Sequence, residues 1–339
     1  MRDFLAEIKA NNIKITVDDD QLVLKVQQNF NNPNIIAKIK DNKQELIDFI
    51  SSMMSEGGRR ILVPLHKAVE SKGNLFFIHD GTGEVQGYEE LIKELSEYNC
   101  YALRCRVSET SGPKHLDIKN MASEYMQKII KIQPEDSYTI LGWSTGGIIA
   151  YEIGRQLELA NKKVEKVIMF DSFYDEEQLE NNSKYVKQFE VSSEIALAKK
   201  FLDRFDYTRN FSTVSEVWDY CKNLSIRESQ LEEVKSLIPL YLTDLLKGKK
   251  KYSYDIIRTV NNIRSLDYAV DTFQFTGSIR APIIYFKAGN SLTKFNTTSD
   301  FHINTIIIEN SDHMSIMTAP YIHQVVDELF KTLLKPVKA

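Results

Sequence analysis

"GWSTGG", residues 142–147, lies between the apolar run "SYTIL" and the Ala-containing apolar run "IIAYEIGRQLELA". G-x-S-x-G between a strand and a helix is typical of a sharp turn that strains the serine backbone and exposes its hydroxyl. Glycines two residues to either side leave room for this turn. The amide of Thr145, at the helix N-terminus, then faces any oxyanion that forms beside Ser144. The stretch therefore predicts a nucleophilic Ser144 with Thr145 as one oxyanion donor.

Two other uses of a glycine-rich turn compete with this interpretation. A phosphate-binding loop carries lysine after its last glycine, whereas Ile148 follows Gly147 here. A turn without any chemical role has no need of a strand before it and a helix after it. The strand-turn-helix context favours the nucleophile.

Short apolar runs alternate with amphipathic helical patterns over residues 73–339. This alternation predicts an α/β fold with a mostly parallel sheet that is covered by helices on both faces. Between about residues 175 and 275 the strand pattern gives way to helical patterns, which predicts a helical lid. The predicted strands are "NLFFIH", "YALRC", "YTILGW", "KVIMFD", "PIIYFK" and "NTIIIE".

Residues 1–55 have a different pattern, which predicts a separate small α+β domain. An amphipathic helix, "RDFLAEIKANN", is followed by the hairpin pattern "IKITVDDDQLVLKV" and by a second helical stretch. "SEGGRR", residues 55–60, has the glycine and charge of a linker. We expect residues 56–72 to contain this linker and the strand that leads into the larger domain.

A serine nucleophile needs a histidine base, which follows it in the chain in this class of fold. His302 starts a strand pattern, and His323 lies within a helical pattern where packing or surface exposure is the simpler role. His313, in "ENSDHMSIM", falls on the loop after the last predicted strand. From that loop an imidazole can reach Ser144, so His313 is the predicted base.

The orienting acid has two possible positions in such a sheet, after the strand that follows the nucleophile helix or after the penultimate strand. Asp171 ends the first of these strands in "VIMFDS", whereas "IIYFKAGNSLTKF" offers no acid near the end of the second. Asp312 adjoins His313 and would have to fold back to reach its ring. Asp171 is therefore the predicted acid, against the alternative that it only caps the turn after its strand.

The second oxyanion donor normally comes from the loop after an early strand. "FFIHDGTGEVQGY" is a turn-rich loop in that place, and Gly81 is the predicted donor because glycine lets the backbone approach a ligand closely. His79 and Asp80 either line the same pocket or only satisfy local backbone groups.

Composition limits the classes of partner. The formal net charge is −4, so no overall charge draws the chain to nucleic acid or to an anionic membrane. Asp3 and Glu7 interrupt the first apolar pattern, which excludes a signal peptide, and no segment approaches the roughly 20 apolar residues of a membrane span. Three scattered cysteines provide neither a disulfide framework nor a zinc site. We expect a cytoplasmic protein without a metal.

Four stretches carry a resemblance to a known family: "GNLFFIHDGTGEVQGYEELIKEL", "MASEYMQKIIKIQPEDSYTILGWSTGGIIAYEIGRQLE", "KVIMFDS" and "SDHMSIM". Together they resemble the terminal thioesterase domain of nonribosomal peptide and polyketide synthetases, which has an α/β-hydrolase fold. The resemblance implies that Ser144 accepts an acyl chain, with His313 as base and Asp171 as its orienting acid. It also implies no cofactor, because the chain arrives on the phosphopantetheine of a partner carrier protein. Stand-alone editing thioesterases resemble the sequence less, since their acid usually follows the penultimate strand.

The front domain has its own resemblance. "FLAEIKANNIKITVDDDQLVLKVQQNFNNPNIIAKIKDNKQELIDFI" is similar to the N-terminal docking domains named after the tubulysin synthetase. This implies that its hairpin and neighbouring helix receive the C-terminal tail of an upstream synthetase subunit, because an exposed strand edge offers unpaired backbone groups. Such domains usually precede condensation or adenylation machinery, so their fusion to a thioesterase is a departure from the pattern.

Three functions follow as expectations from different classes. The first is release of a peptidyl or polyketide chain, by hydrolysis or macrocyclisation, by a thioesterase that docks in trans. The second is a stand-alone editing thioesterase, or a general serine esterase or acyltransferase, and the docking-like front argues against the general esterase. The third is a docking adaptor with an inert hydrolase fold, against which the complete set of serine, acid and histidine argues.

Overall fold

The computed structural model describes part of the 339-residue chain and divides it into two compact units, Met1–Val63 and Pro64–Ala339. The predicted linker at 55–60 and His302 lie outside the described residues, as does part of the predicted lid. The domain boundaries near residues 55 and 72 stay predictions. The described residues are 4, 7–8, 11, 13–18, 21–26, 30, 32–46, 61–105, 112–175, 189–206, 208–222, 224–236, 253–292, 295–296 and 303–334.

The N-terminal unit contains an antiparallel hairpin and a helix. Strands β1 (Lys14–Asp18) and β2 (Gln21–Lys25) pair with Thr16 opposite Val23. Helix α1 (Pro33–Asp41) begins after Asn32, whose side chain accepts a hydrogen bond from the Ile35 amide at 3.3 Å. Apolar side chains that precede the hairpin, lie on α1 or follow it are buried together and stabilise the described part of the unit; they are Ile8, Ile13, Ile35, Ile39 and Leu46.

The larger unit is built on a seven-stranded sheet with the order β11-β9-β7-β6-β4-β5-β3. The described pairings between β11, β9, β7, β6, β4 and β5 are all parallel. The α/β fold with a mostly parallel sheet is therefore confirmed. Its strands are β3 (Leu62–His66), β4 (Asn74–Ile78), β5 (Asn99–Leu103), β6 (Tyr138–Trp143), β7 (Val164–Phe170), β9 (Ile283–Ala288) and β11 (Ile303–Ile308).

The central strands are continuous apolar runs because helices cover both faces of a parallel sheet. Every residue of β6 is buried, and four of the five residues of β4 are buried as well. A two-residue parallel pair, β8 (Tyr174–Asp175) with β10 (Phe295–Asn296), was not predicted, because it is too short to show a period in the sequence. The covering helices are α2 (Glu89–Glu94), α3 (Ile118–Ile132), α4 (Thr145–Leu159) and α9 (Tyr321–Leu334).

Helix α4 begins directly at the end of β6, and two glycines allow this close packing. A Cβ atom on Gly142 would collide with the carbonyl of Gly146. One on Gly146 would lie 2.7 Å from the carbonyl oxygen of Ile78, at the end of β4. The first turn of α4 therefore lies against the backbone of β4, and the loop after β4 lies beside the residue that joins β6 to α4.

Between β8 and β9 the structure describes a helical layer, in the region predicted to be a lid. Glu194 of α5 (Val191–Phe201) is 1% exposed. Its carboxylate accepts hydrogen bonds from Arg264 of α8 (Ser253–Asp271) at 2.6 and 2.8 Å and from the indole of Trp218 of α6 (Val214–Cys221) at 2.7 Å. This buried, fully bonded carboxylate ties three helices together. The helices of the layer are α5 (Val191–Phe201), α6 (Val214–Cys221), α7 (Leu231–Ser236) and α8 (Ser253–Asp271).

Candidate active site

Ser144 lies on the turn between β6 and α4 in a strained conformation. Its φ of 56° and ψ of −127° fall outside the regions that non-glycine residues ordinarily adopt. The Ser144 amide donates to the Phe170 carbonyl at 2.9 Å, which holds the turn against β7. Such a turn presents the serine hydroxyl above the carboxyl edge of the sheet.

His313 lies on the loop after β11 and reaches Ser144. Its Nε2 is 3.1 Å from the Ser144 hydroxyl oxygen, and its Nδ1 is 2.8 Å from Oδ2 of Asp171. A carboxylate can only accept, so Nδ1 carries the proton and Nε2 is left to accept the serine proton. The structure thus brings the predicted nucleophile, base and acid together in one chain of hydrogen bonds.

Asp171 follows β7, and its carboxylate is fully buried. Oδ1 accepts the Ala288 amide at 3.0 Å, and the Asp171 amide donates to the Phe286 carbonyl at 2.7 Å. Burial alone would raise the pKa of Asp171, but hydrogen bonds from His313, Ser291 and Ala288 outweigh it and hold the pKa below its usual value. The carboxylate is therefore ionised at neutral pH. The end of β9, the other possible position for the acid, supplies an amide donor instead.

Two other residues considered as the acid and the base, Asp312 and His323, do not contact the Ser144–His313–Asp171 chain in this way. The Asp312 carboxylate accepts the amides of Met314 and Ser315, at 2.9 and 2.8 Å, and so caps the short turn that follows His313. His323 is exposed on α9.

Gly81 lies beside the first residue of α4. A Cβ atom built on Gly81 would be 3.4 Å from the Thr145 hydroxyl oxygen, so the backbone of the loop after β4 passes close to the turn that carries Ser144. Within the described residues, no protein group accepts a hydrogen bond from the amide of Gly81 or of Thr145. Both amides are therefore available beside Ser144, and their role as oxyanion donors stays a prediction.

The loop that carries Gly81 is held rigid by its own side chains. The Asp80 carboxylate accepts the Thr82 amide at 2.8 Å and the Thr82 hydroxyl at 2.6 Å. The Tyr88 hydroxyl donates to the Ile78 carbonyl and accepts the Trp143 amide, both at 2.6 Å. Because Trp143 immediately precedes Ser144, this second contact ties the loop to the nucleophile turn.

His79 is fully buried, and both of its ring nitrogens contact neighbouring protein groups. Its Nδ1 is 2.8 Å from the Asp80 carbonyl oxygen, and its Nε2 is 2.9 Å from the Tyr125 hydroxyl. Burial is the main cause that lowers the pKa of His79 to about 4, so the ring is neutral at pH 7. The sequence allowed His79 either to line the pocket or only to satisfy local backbone groups, and this environment favours the second role.

The sequence did not indicate that Trp143 helps to hold the base. The Trp143 indole donates to the main-chain carbonyl of His313 at 3.2 Å, and the two rings lie 5.7 Å apart at 34°. Trp143 is 2% exposed, and its ring packs where a side chain on Gly87 would otherwise lie. Its place next to Ser144 was visible in the sequence, but its partner lies 170 residues away.

Among the residues with described positions, no group of three or more His, Cys, Asp or Glu side chains is placed to hold a metal ion. No described helix has both the length and the apolar character needed to span a bilayer.

Two family models match parts of this chain. Residues 74–238 match the family model of the thioesterase domain, and residues 1–51 match that of the TubC N-terminal docking domain. The chain therefore carries a thioesterase domain of α/β-hydrolase fold, of the kind found in nonribosomal peptide and polyketide synthetases, preceded by a TubC-type docking domain.

The relatives are much longer than this chain. Polyketide synthase PksR of Bacillus subtilis is 25% identical over 82% of this chain and 12% of its own length. Atromentin synthetase of Serpula lacrymans is 32% identical over 37% of this chain and 13% of its own length. The aligned regions span 4–14% of the first eight curated relatives.

Two solved structures share the fold. The four-domain nonribosomal peptide synthetase AB3403 is 20% identical, with a TM-score of 0.56 over 86% of this chain and 22% of that chain. The NocB thioesterase domain, in covalent complex with a fluorophosphonate nocardicin G analog, is 14% identical, with a TM-score of 0.52 over 81% of this chain and all of that chain.

Proposed function

We propose that this protein is a serine thioesterase that releases a peptidyl or polyketide chain from the phosphopantetheine thioester of an upstream carrier protein. The observation that carries the proposal is the chain of hydrogen bonds from Ser144 through His313 to Asp171, in a chain that also has a docking domain. Release is by hydrolysis or by macrocyclisation.

In the first half-reaction the chain moves from sulfur to oxygen. The Ser144 hydroxyl gives its proton to Nε2 of His313 as its oxygen bonds to the thioester carbonyl carbon. The amides of Gly81 and Thr145 bind the oxyanion of the tetrahedral intermediate. As the intermediate collapses, the carbon–sulfur bond breaks and His313 returns the proton to the pantetheine thiolate. Asp171 stays ionised and stabilises the imidazolium.

The second half-reaction decides the product. Nε2 of His313 takes a proton from the attacking group as that group bonds to the ester carbon, and Ser144 leaves with the proton restored. Water as the attacking group gives a free acid. An amine or hydroxyl of the bound chain gives a macrocycle. The helical layer formed by α5, α6, α7 and α8 is the region that would govern this choice by excluding water.

The N-terminal domain recruits the substrate in this proposal. One of the two strands of its hairpin, β1 or β2, would receive the C-terminal tail of the upstream subunit as an added strand. Tethering then raises the effective concentration of the carrier protein near Ser144 without a new contact at the active site.

A stand-alone editing thioesterase or general serine esterase is the alternative. The docking-domain match favours recruitment to a synthetase. The position of the acid argues against an editing thioesterase, whose acid usually follows the penultimate strand. Here Asp171 follows β7, and β9 contributes only the Ala288 amide that Asp171 accepts. A general esterase would gain nothing from a docking domain.

Intact-mass spectrometry tests the proposal. The protein is mixed with a peptidyl thioester mimic of small size, and the enzyme and the released product are weighed in the same run. We expect an enzyme mass increased by the acyl group and a product that is either the free acid or lighter than it by one water. If neither forms with several mimics or with a carrier-bound chain, the proposed function is wrong and the adaptor is favoured.

Deletion of residues 1–55 separates recruitment from chemistry. We expect kcat/KM for the carrier-bound substrate to fall by about 10²-fold or more, because the tether supplies effective concentration. The small thioester mimic is the control, and its turnover should stay within about twofold of the full chain. Equal rates on the carrier-bound substrate would contradict docking in trans.

Trp143→Phe tests how the base is held. Phenylalanine keeps a ring against His313 but loses the indole donor to its carbonyl, so we expect kcat for the small mimic to fall by about tenfold. Trp218→Phe, which loses an indole bond to Glu194 in the helical layer, is the matched control. Similar losses in both variants would mean that Trp143 acts only through general stability.

A further inference from the structure

Helix α8 reaches the loop that carries the Gly81 amide. Nδ2 of Asn262 donates to the main-chain carbonyl of Thr82 at 3.2 Å, across 180 residues of sequence. Asn262 is 6% exposed, so this hydrogen bond is shielded from water. A Cβ atom on Gly83 would lie 3.7 Å from the same Nδ2 and 3.9 Å from Leu266, so α8 covers the outer side of this loop.

The bond restrains one particular peptide unit. The Thr82 carbonyl is in the residue after Gly81, while the Thr82 amide is held from the inner side by Asp80. The peptide groups on both sides of Thr82 are thus fixed, one by the loop itself and the other by α8. The Gly83 amide, which shares its peptide unit with the Thr82 carbonyl, donates to the Asp80 carbonyl at 3.0 Å. The Asp80 carbonyl in turn shares its peptide unit with the Gly81 amide, so a shift of the Thr82 carbonyl is passed to that amide.

Helix α8 is itself anchored at a second point. The Ser265 hydroxyl accepts the Lys114 amide at 2.8 Å and donates to the Asn261 carbonyl at 2.6 Å. Arg264 joins α8 to Glu194 of α5. The position of α8 is therefore linked to the helical layer at one side and to the oxyanion loop at the other.

We propose that Asn262 is a positioning residue that couples the helical layer to the oxyanion hole by fixing the Thr82 carbonyl beside Gly81. The amide of Gly81 then has its productive direction only while α8 is packed on the loop. This inference rests on the proposed function, because it takes Gly81 as an oxyanion donor.

Two variants remove the donor. Asn262→Leu has a similar volume and no hydrogen to donate, and Asn262→Asp is nearly isosteric but presents only acceptors when it is ionised. For the small thioester mimic we expect kcat to fall by about tenfold in both variants, with KM within about twofold of wild type. The affinity for a peptidyl boronic acid, which forms a tetrahedral adduct with a reactive serine, should fall by about the same factor.

Gln133→Leu is the matched control: Gln133 is 7% exposed, and its side-chain amide donates to the Ser137 carbonyl at 2.8 Å beside Asn74, at the opposite end of β4 from Gly81. We expect kcat and boronate affinity within about twofold of wild type in this variant. A tenfold loss there, or wild-type kcat and boronate affinity in both Asn262 variants, overturns the inference. If the wild-type protein neither hydrolyses the mimic nor binds the boronate, the proposed function itself fails.

Discussion

Ser144→Ala is expected to lower kcat for acyl thioester turnover by at least about 10⁴-fold. Alanine removes the oxygen that lies 3.1 Å from Nε2 of His313, and with it the only atom at this position that can form the ester. The thiol released from the mimic gives the rate, and intact mass shows that the variant does not gain the acyl group. Unchanged turnover would rule out an acyl-Ser144 intermediate.

Ser172→Ala is the matched control for that experiment. Ser172 is also fully buried near the start of α4, and its hydroxyl has no hydrogen-bond partner among the described residues. Its removal should leave kcat within about twofold of wild type. A loss as large as that of Ser144→Ala would mean that both variants disturb the local fold.

Asp171→Asn is expected to lower kcat by about 10⁴-fold with little change in KM. The amide can present its NH₂ group to Nδ1 of His313, which then favours the imidazole tautomer that carries its proton on Nε2. That tautomer cannot accept the proton of Ser144. Steady-state kinetics on the small mimic measure the effect, and a melting temperature near that of wild type would show that the fold survives.

Asp312→Asn distinguishes the two acids considered for His313. The Asp312 carboxylate accepts amides of the turn after His313, and an asparagine oxygen can still accept them. We expect kcat within about threefold of wild type. The opposite ranking, with Asp312→Asn the more damaging, would make Asp312 the orienting acid and contradict the role of Asp171.

The sheet and the positions of the main site residues could be predicted because their signals are local. Apolar runs that are buried on both faces identified β4, β6 and β7. Gly142 and Gly146 marked the turn at Ser144, because no other residue fits the close approach of β6, α4 and β4. Asp171 and His313 followed from their places at the ends of strands, since these ends meet along one edge of a parallel sheet.

The supporting contacts could not be predicted, because each joins residues that are far apart in sequence. Trp143 contacts His313 across 170 residues, and Asn262 contacts Thr82 across 180. Neither residue belongs to a periodic sequence pattern that indicates which residue it contacts. The short pair of β8 and β10 is similar, because two residues are too few to show an alternation.

The positive φ angles of Ser144 and Asp171 have a consequence for protein engineering. The two residues follow adjacent strands and have φ values of 56° and 40°. Each such conformation costs about 1–3 kcal/mol for a residue with a side chain. Asp171 offsets this cost, because its buried carboxylate accepts hydrogen bonds from His313 and Ala288. At Ser144, selection for heat resistance alone would favour glycine or asparagine, and selection for turnover would oppose it. A library screened only for thermal survival would lose the nucleophile early, so activity has to be part of every round.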